Sequence, residues 1–143
     1  NKDILKYHKA GFLSSRKCPA DVILKSYEWA KKQRAEENCV VCGNHSQIEK
    51  DVFEILLKGE QPLILVLPRG LKKRWDKIWL QNVDKERFLI VSPFDRSIKR
   101  ITRETAVKKN ETIIYLSDQL TIGYKSSKGQ LDKLLTDNEF SYV

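Results

Sequence analysis

The chain has 143 residues, 41% hydrophobic and 32% charged, which fits one globular domain long enough to bury a real core. No apolar run approaches membrane-spanning length, no Pro, Gly or Ser tract marks a linker, and three cysteines, an odd number, argue against a disulfide scaffold. The 27 Lys and Arg against 19 Asp and Glu give a net charge of +8, which favours a polyanionic partner such as nucleic acid or a nucleotide.

Residues 1–9 are polar and read as a lead-in without a signal-peptide core, so cytoplasmic residence is the expectation. Ala10-Gly11-Phe12-Leu13 reads as a first strand ending in Ser14-Ser15-Arg16. Pro19 then suits the first turn of a helix in which Val22, Ile23, Ser26, Tyr27 and Ala30 recur at helical spacing, with Asn38 as its C-terminal residue.

The second strand is Cys39-Val40-Val41-Cys42, followed by the turn Gly43-Asn44-His45-Ser46 and a helix whose apolar face is Ile48, Val52, Phe53, Ile55 and Leu56. Asn44 or Ser46 caps that helix. Glycine lets a ligand approach the backbone, and the unpaired N–H groups of a helix's first turn favour an anion, so strand, turn and helix together form a phosphate-site pattern. Cys39 and Cys42 form a C-x-x-C without a second pair, and only two histidines occur in the chain, so buried strand cysteines are expected and no metal site.

Gly59 stops the helical pattern, and Leu63-Ile64-Leu65-Val66-Leu67 follows as a strand covered on both faces, ending in Pro68-Arg69-Gly70. In the basic segment 72–80, Trp75, Ile78 and Trp79 are expected on one helical face, packed on the sheet or offered to a base. Phe88-Leu89-Ile90-Val91 is the fourth strand, with Ser92-Pro93-Phe94 at its tip and a basic loop over 95–101. A helix from about 102 to 116 is capped by Thr102, with Glu104 in its first turn. Leu120 to Tyr124 is the fifth strand, 130–136 a short helix and 140–143 a terminal strand.

The alternation implies an α/β fold with right-handed crossovers, a parallel sheet and helices on both faces. The strand tips then share one edge, where ligands bind at a switch in strand order. Those tips carry Ser14, Ser15, Arg16, Gly43, Asn44, His45, Ser46, Arg69, Gly70, Tyr124, Ser126 and Ser127, small hydroxyl residues beside cations. Tyr124 either stacks on a base or fills the sheet, and His45 suits a local hydrogen bond better than proton transfer.

Gly43-Asn44-His45-Ser46 with Glu49, the strand ending Pro68-Arg69-Gly70-Leu71, and Lys109-Asn110 before the Ile113 to Asp118 segment resemble the core of DNA-processing protein A (the DprA/Smf family). Lys109 stands where that family has arginine, and Ser126 to Leu131 is similar to its serine-glycine turn. The resemblance runs from about residue 10 to 143 and implies a Rossmann-like three-layer αβα sandwich with a mainly parallel sheet of about six strands, residues 1–143 forming a single domain with 1–9 as its lead-in. It also implies that phosphates of a nucleotide or of single-stranded DNA bind at the C-terminal edge of the sheet. Gly43, Ser46 and the amides that follow would hold them, Arg69 and Lys109 would neutralise them and Asn110 would orient the loop, with Ser14, Ser15, Arg16, Asn44, His45, Gly70, Ser126, Ser127 and Gly129 completing the site, in a chain that could form a homo-oligomer and needs no cofactor beyond a bound nucleotide.

The wider superfamily includes the LOG phosphoribohydrolases, which cleave the N-glycosidic bond of a nucleotide. On that alternative Glu49 is the best-placed carboxylate, with Glu104 and His45 as weaker catalytic candidates, although the LOG glycine-rich signature is missing. A third alternative is a nucleotide-sensing interaction module with loop 95–103 and segment 72–79 facing a partner.

Overall fold

The computed structural model describes residues 1–143. The apolar runs become strands of a single six-stranded sheet: β1 (Lys9–Leu13), β2 (Cys39–Cys42), β3 (Leu63–Val66), β4 (Phe88–Val91), β5 (Gln119–Ile122) and β6 (Ser141–Tyr142). Between them lie α1 (Ala20–Ala35), α2 (Gln47–Leu57), α3 (Lys77–Asp84), α4 (Arg103–Leu116) and α5 (Gln130–Leu134). The strand order is β4-β3-β2-β1-β5-β6, and every pairing is parallel. This is the three-layer Rossmann-like αβα sandwich expected of the alternation.

Period-two geometry explains why β2 and β3 read as unbroken apolar runs: each strand residue is covered on one side or the other. Phe12, Val40, Cys42, Leu63, Leu65 and Phe88 enter a core with Ala30 of α1, Val52, Phe53 and Leu56 of α2, and Trp79 of α3. Leu13, Cys39, Val41, Ile64, Val66, Leu120 and Ile122 enter the opposite core with Ile113 of α4 and Leu131 and Leu135. Each large aliphatic or aromatic side chain buried in this way contributes about 1.5–3 kcal/mol.

Four sequence expectations are corrected. Residues 1–9 are more than a lead-in, because Lys2–Lys6 forms a 3-10 turn that buries Ile4 at 1% exposure in the second core. Helix α1 ends at Ala35 and Asn38 lies beyond it; Glu37 takes the left-handed conformation at φ 59°, and the Asn38 N–H closes the turn onto Gln33 O at 3.0 Å. Trp75, Ile78 and Trp79 do not share a helical face, because Asp76 stays extended and α3 begins only at Lys77. Trp79 packs edge-on against Phe53 and Phe88, Trp75 stacks on Trp79 at 6.0 Å from outside the helix, and Ile78 is 54% exposed. The terminal strand is only Ser141–Tyr142.

A buried arginine locks one end of the sheet. The Arg87 guanidinium donates to Gln61 O, Leu57 O, Leu56 O and Asn82 Oδ1 at 2.7–3.1 Å. Two of those acceptors, Leu56 O and Leu57 O, are last-turn carbonyls of α2, and Leu56 O also accepts from the Gly59 N–H at 3.1 Å and from Gln61 Nε2 at 2.8 Å.

Candidate functional site

Successive connections lead β1 to β4 one way across the sheet, whereas β5 returns to the other side of β1. At this reversal the chain leaves the C-terminal ends of β1 and β5 in opposite directions, and a cleft of about 620 Å³ opens there. Its walls are Ser14, Ser15, Arg16 and Lys17 after β1; His45, Ser46 and Glu49 after β2; Ile101 to Arg103, Ala106, Lys109 and Asn110 at the start of α4; and Ser126 and Gly129 to Leu131 after β5.

Backbone pairing fixes the β1 and β5 tips against each other. Ser15 N–H donates to Tyr124 O at 2.7 Å, Tyr124 N–H to Ser14 Oγ at 3.2 Å, and Ser126 N–H to Ser15 Oγ at 3.3 Å. Tyr124 thus serves this edge through its backbone. The serines stand at the cleft because the parallel register carries them there.

The β2 tip is built around an ion pair. Ser46 caps α2 in a capping box: its Oγ accepts from the Glu49 N–H, while Glu49 Oε1 accepts from the Ser46 N–H at 2.9 Å and from the Ser46 hydroxyl at 3.1 Å. Glu49 Oε2 accepts from Lys109 Nζ at 2.5 Å, and the two side chains are only 4% and 3% exposed. Burial raises the Glu49 carboxyl pKa, but the Lys109 charge and hydrogen bond and the Ser46 contacts outweigh it and hold the carboxyl below its usual range. The seat expected for phosphate at Gly43 and Ser46 therefore holds the protein's own carboxylate. A Cβ on Gly43 would lie 2.6 Å from Glu49 Oε2 and 2.9 Å from Lys109 Nζ, so the close approach that this glycine permits is that of the ion pair.

Beside the pair, His45 Nε2 lies 2.8 Å from the Arg16 guanidinium, which donates, so the imidazole is neutral with its proton on Nδ1. Burial, then the Lys109 charge, pushes the His45 pKa down. Thr102 and Thr105 cap α4 reciprocally, leaving the exposed Arg103 on its first turn at the cleft. Helix α1 begins at Ala20 with Pro19 as its N-cap residue and no side-chain cap, so its first-turn N–H groups lack a side-chain acceptor just beyond Arg16 and Lys17.

Of the residues the sequence singles out, Ser14, Ser15, Arg16, His45, Ser46, Glu49, Lys109, Asn110, Ser126 and Gly129 line the cleft together. Gly43, Asn44, Arg69, Gly70, Ser127 and Glu104 do not. The Arg69 Nε–H bonds back to Gly70 O, and a Cβ on Gly70 would lie 2.2 Å from Asp95 O, so this glycine serves the packing of two loops. Cys39 and Cys42 enter opposite cores, as residues three apart in a strand must. Burial pushes both thiols up, Cys39 to about 11, which removes thiolate character from both. No group of three or more His, Cys, Asp or Glu is gathered for a metal.

Sequence reasoning missed Lys17, Ile101, Thr102, Arg103, Ala106, Gln130 and Leu131 as cleft residues. The signal for Arg103 was present: it directly follows the Thr102 cap, and a helix after a parallel strand begins at the C-terminal edge of the sheet.

No protein-family model matches this sequence, and no curated protein matches it. Solved structures do. DNA processing protein A from Helicobacter pylori, described for its single-stranded DNA binding mode, superposes with a TM-score of 0.75 and 15% identity over 99% of this chain and 68% of that one. The Streptococcus pneumoniae protein of the same name gives 0.72 and 18%, and this chain, 99% covered, spans about half (51%) of its length. The molybdenum cofactor (Moco) carrier protein of Chlamydomonas reinhardtii gives 0.54 and 7%, covering 96% of this chain and 89% of that one. At these identities the likeness is one of architecture: the chain shares the Rossmann-like fold of DNA processing protein A.

Proposed function

We propose that the cleft binds the phosphates of single-stranded DNA, with a single nucleotide as the minimal ligand. The observation that carries this reading is a group of cations with no carboxylate partner, Arg16, Lys17 and Arg103, around the hydroxyls of Ser14, Ser15 and Ser126 at the reversal of strand order. Cations and hydroxyls are the groups that position a sugar-phosphate backbone without reading its sequence. The H. pylori neighbour's single-stranded DNA binding supports the choice of ligand.

Cleavage of an N-glycosidic bond would need a carboxylate facing the sugar. Glu49 is the cleft's one carboxylate, and both its oxygens are committed to Ser46 and Lys109. Binding is therefore favoured over hydrolysis.

The test is fluorescence anisotropy of a labelled oligothymidylate over a range of salt concentrations. Arg16→Ala and Arg103→Ala should each weaken binding several-fold and reduce the salt slope by about 0.7, the value for one phosphate contact on a single strand. Affinity and slope unaffected by both substitutions would refute this site.

A further inference from the structure

The net charge of this chain is concentrated. Residues 68–77 hold Arg69, Lys72, Lys73, Arg74 and Lys77 against Asp76 alone. Residues 92–103 add Arg96, Lys99, Arg100 and Arg103 against Asp95 alone. These 22 residues thus carry nine cations and two acids, a net +7 of the chain's +8, and the other 121 residues are close to neutral.

The two loops form one body. Gly70 N–H donates to Ile98 O at 2.7 Å, the Ser92 hydroxyl to Arg69 O at 2.6 Å, and Leu67 N–H to Val91 O at 2.9 Å. Eight of the nine cations are exposed, Arg69 is half-buried, and none of the nine forms an ion pair. Folding alone gives no reason to gather so many like charges, which repel one another. The lobe continues directly from the cleft, because Ile101 to Arg103 belong to both.

We propose that this lobe carries a single strand of nucleic acid onward from the cleft, across the tips of β3 and β4. Apolar surface interleaved with the charge favours a single strand over a duplex: Ile98 and Ile101 are 39% and 41% exposed, and Trp75 is half-buried among Lys72, Lys73 and Arg74. Unstacked bases offer faces to such side chains, whereas a duplex keeps its base faces stacked inside and presents phosphates. The starting point of the path rests on the cleft reading, but the lobe's own contribution is measured separately from it.

The experiment compares oligothymidylates of about 4 and about 16 nucleotides, a span that brackets a short site and an extended one. The triple variant K72A/K73A/R74A alters only exposed side chains without ion-pair partners, and circular dichroism verifies its fold. It should leave the short oligomer's affinity within about twofold, weaken the long one at least about tenfold, and reduce the long oligomer's salt slope by about 2, for three lost phosphate contacts. Arg16→Ala should weaken both lengths. An unchanged affinity and slope for the long oligomer would overturn the proposal. So would equal weakening at both lengths, which marks a general field rather than a path. A duplex of the longer length that binds more tightly than the single strand, and loses that binding in the triple variant, also overturns it. A silent Arg16→Ala beside an active triple variant removes the cleft reading and leaves the lobe as the single-strand surface.

Discussion

Replacing Lys109 with methionine isolates the interaction that joins two walls of the cleft. The substitution keeps the length of the side chain and removes its charge, leaving the Glu49 carboxylate 4% exposed and opposed by burial, with only the Ser46 contacts to support it. Breaking a buried pair from one side costs about 3–5 kcal/mol, because the remaining charge is stranded. With a urea m-value of about 2 kcal/mol/M, the unfolding midpoint should fall by about 1.5–2.5 M. Glu49→Gln with Lys109→Met removes both charges and leaves an amide oxygen for the Ser46 N–H. The double variant should therefore be more stable than the sum of the single losses by about 2 kcal/mol or more, read from a four-protein urea cycle. A Lys109→Met cost under about 1 kcal/mol, or strict additivity, would show that the pair is not the strut between the β2–α2 turn and α4.

The same pair predicts a pH response. The folded pKa of Glu49 lies below its unfolded value, so as pH falls the unfolded chain takes up the proton first. The pair's stabilisation is fully present above the unfolded Glu value of about 4.3 and is lost as pH falls from there through the lower folded value. Urea midpoints across that window should decline less steeply in Glu49→Gln than in the parent chain; identical slopes would contradict the assignment. At the end of α1, Glu37 sits at φ 59°, where a side chain costs about 1–2 kcal/mol that glycine does not incur. Allowing for glycine's freer unfolded chain, Glu37→Gly should raise the melting temperature by about 2–4 °C in calorimetry.

Much of this architecture is legible in local chemistry. Apolar runs of four residues at 39–42, 63–66 and 88–91 have no partner but a sheet, and Ser46 and Thr102 both cap where a hydroxyl precedes a helical pattern. Legibility stops where a residue's meaning depends on a partner distant in sequence. Glu49 and Lys109 each invited a separate role, catalysis for one and phosphate for the other. Sixty positions separate them, and only the packing of α4 beside the β2 tip shows that they neutralise each other. Arg69 is absent from the cleft for the opposite reason: it stands at a strand tip, but β3 lies two strands away from β1, where the cleft opens. Ile4, a single apolar residue in a polar stretch, gave no periodic signal and is nonetheless almost fully buried.

The central strand has a consequence for biogenesis. β1 is flanked by β2 on one edge and by β5, some 110 positions later, on the other. While the ribosome is still extending the polypeptide, the first edge can be paired early, but the second stays bare until the region around Ile122 has emerged. Such non-local closure is slow, and an uncovered strand edge is a template for another chain. Between the emergence of β2 and that of β5 the nascent chain thus has its innermost ladder half zipped, the kind of exposed edge that chaperones shield.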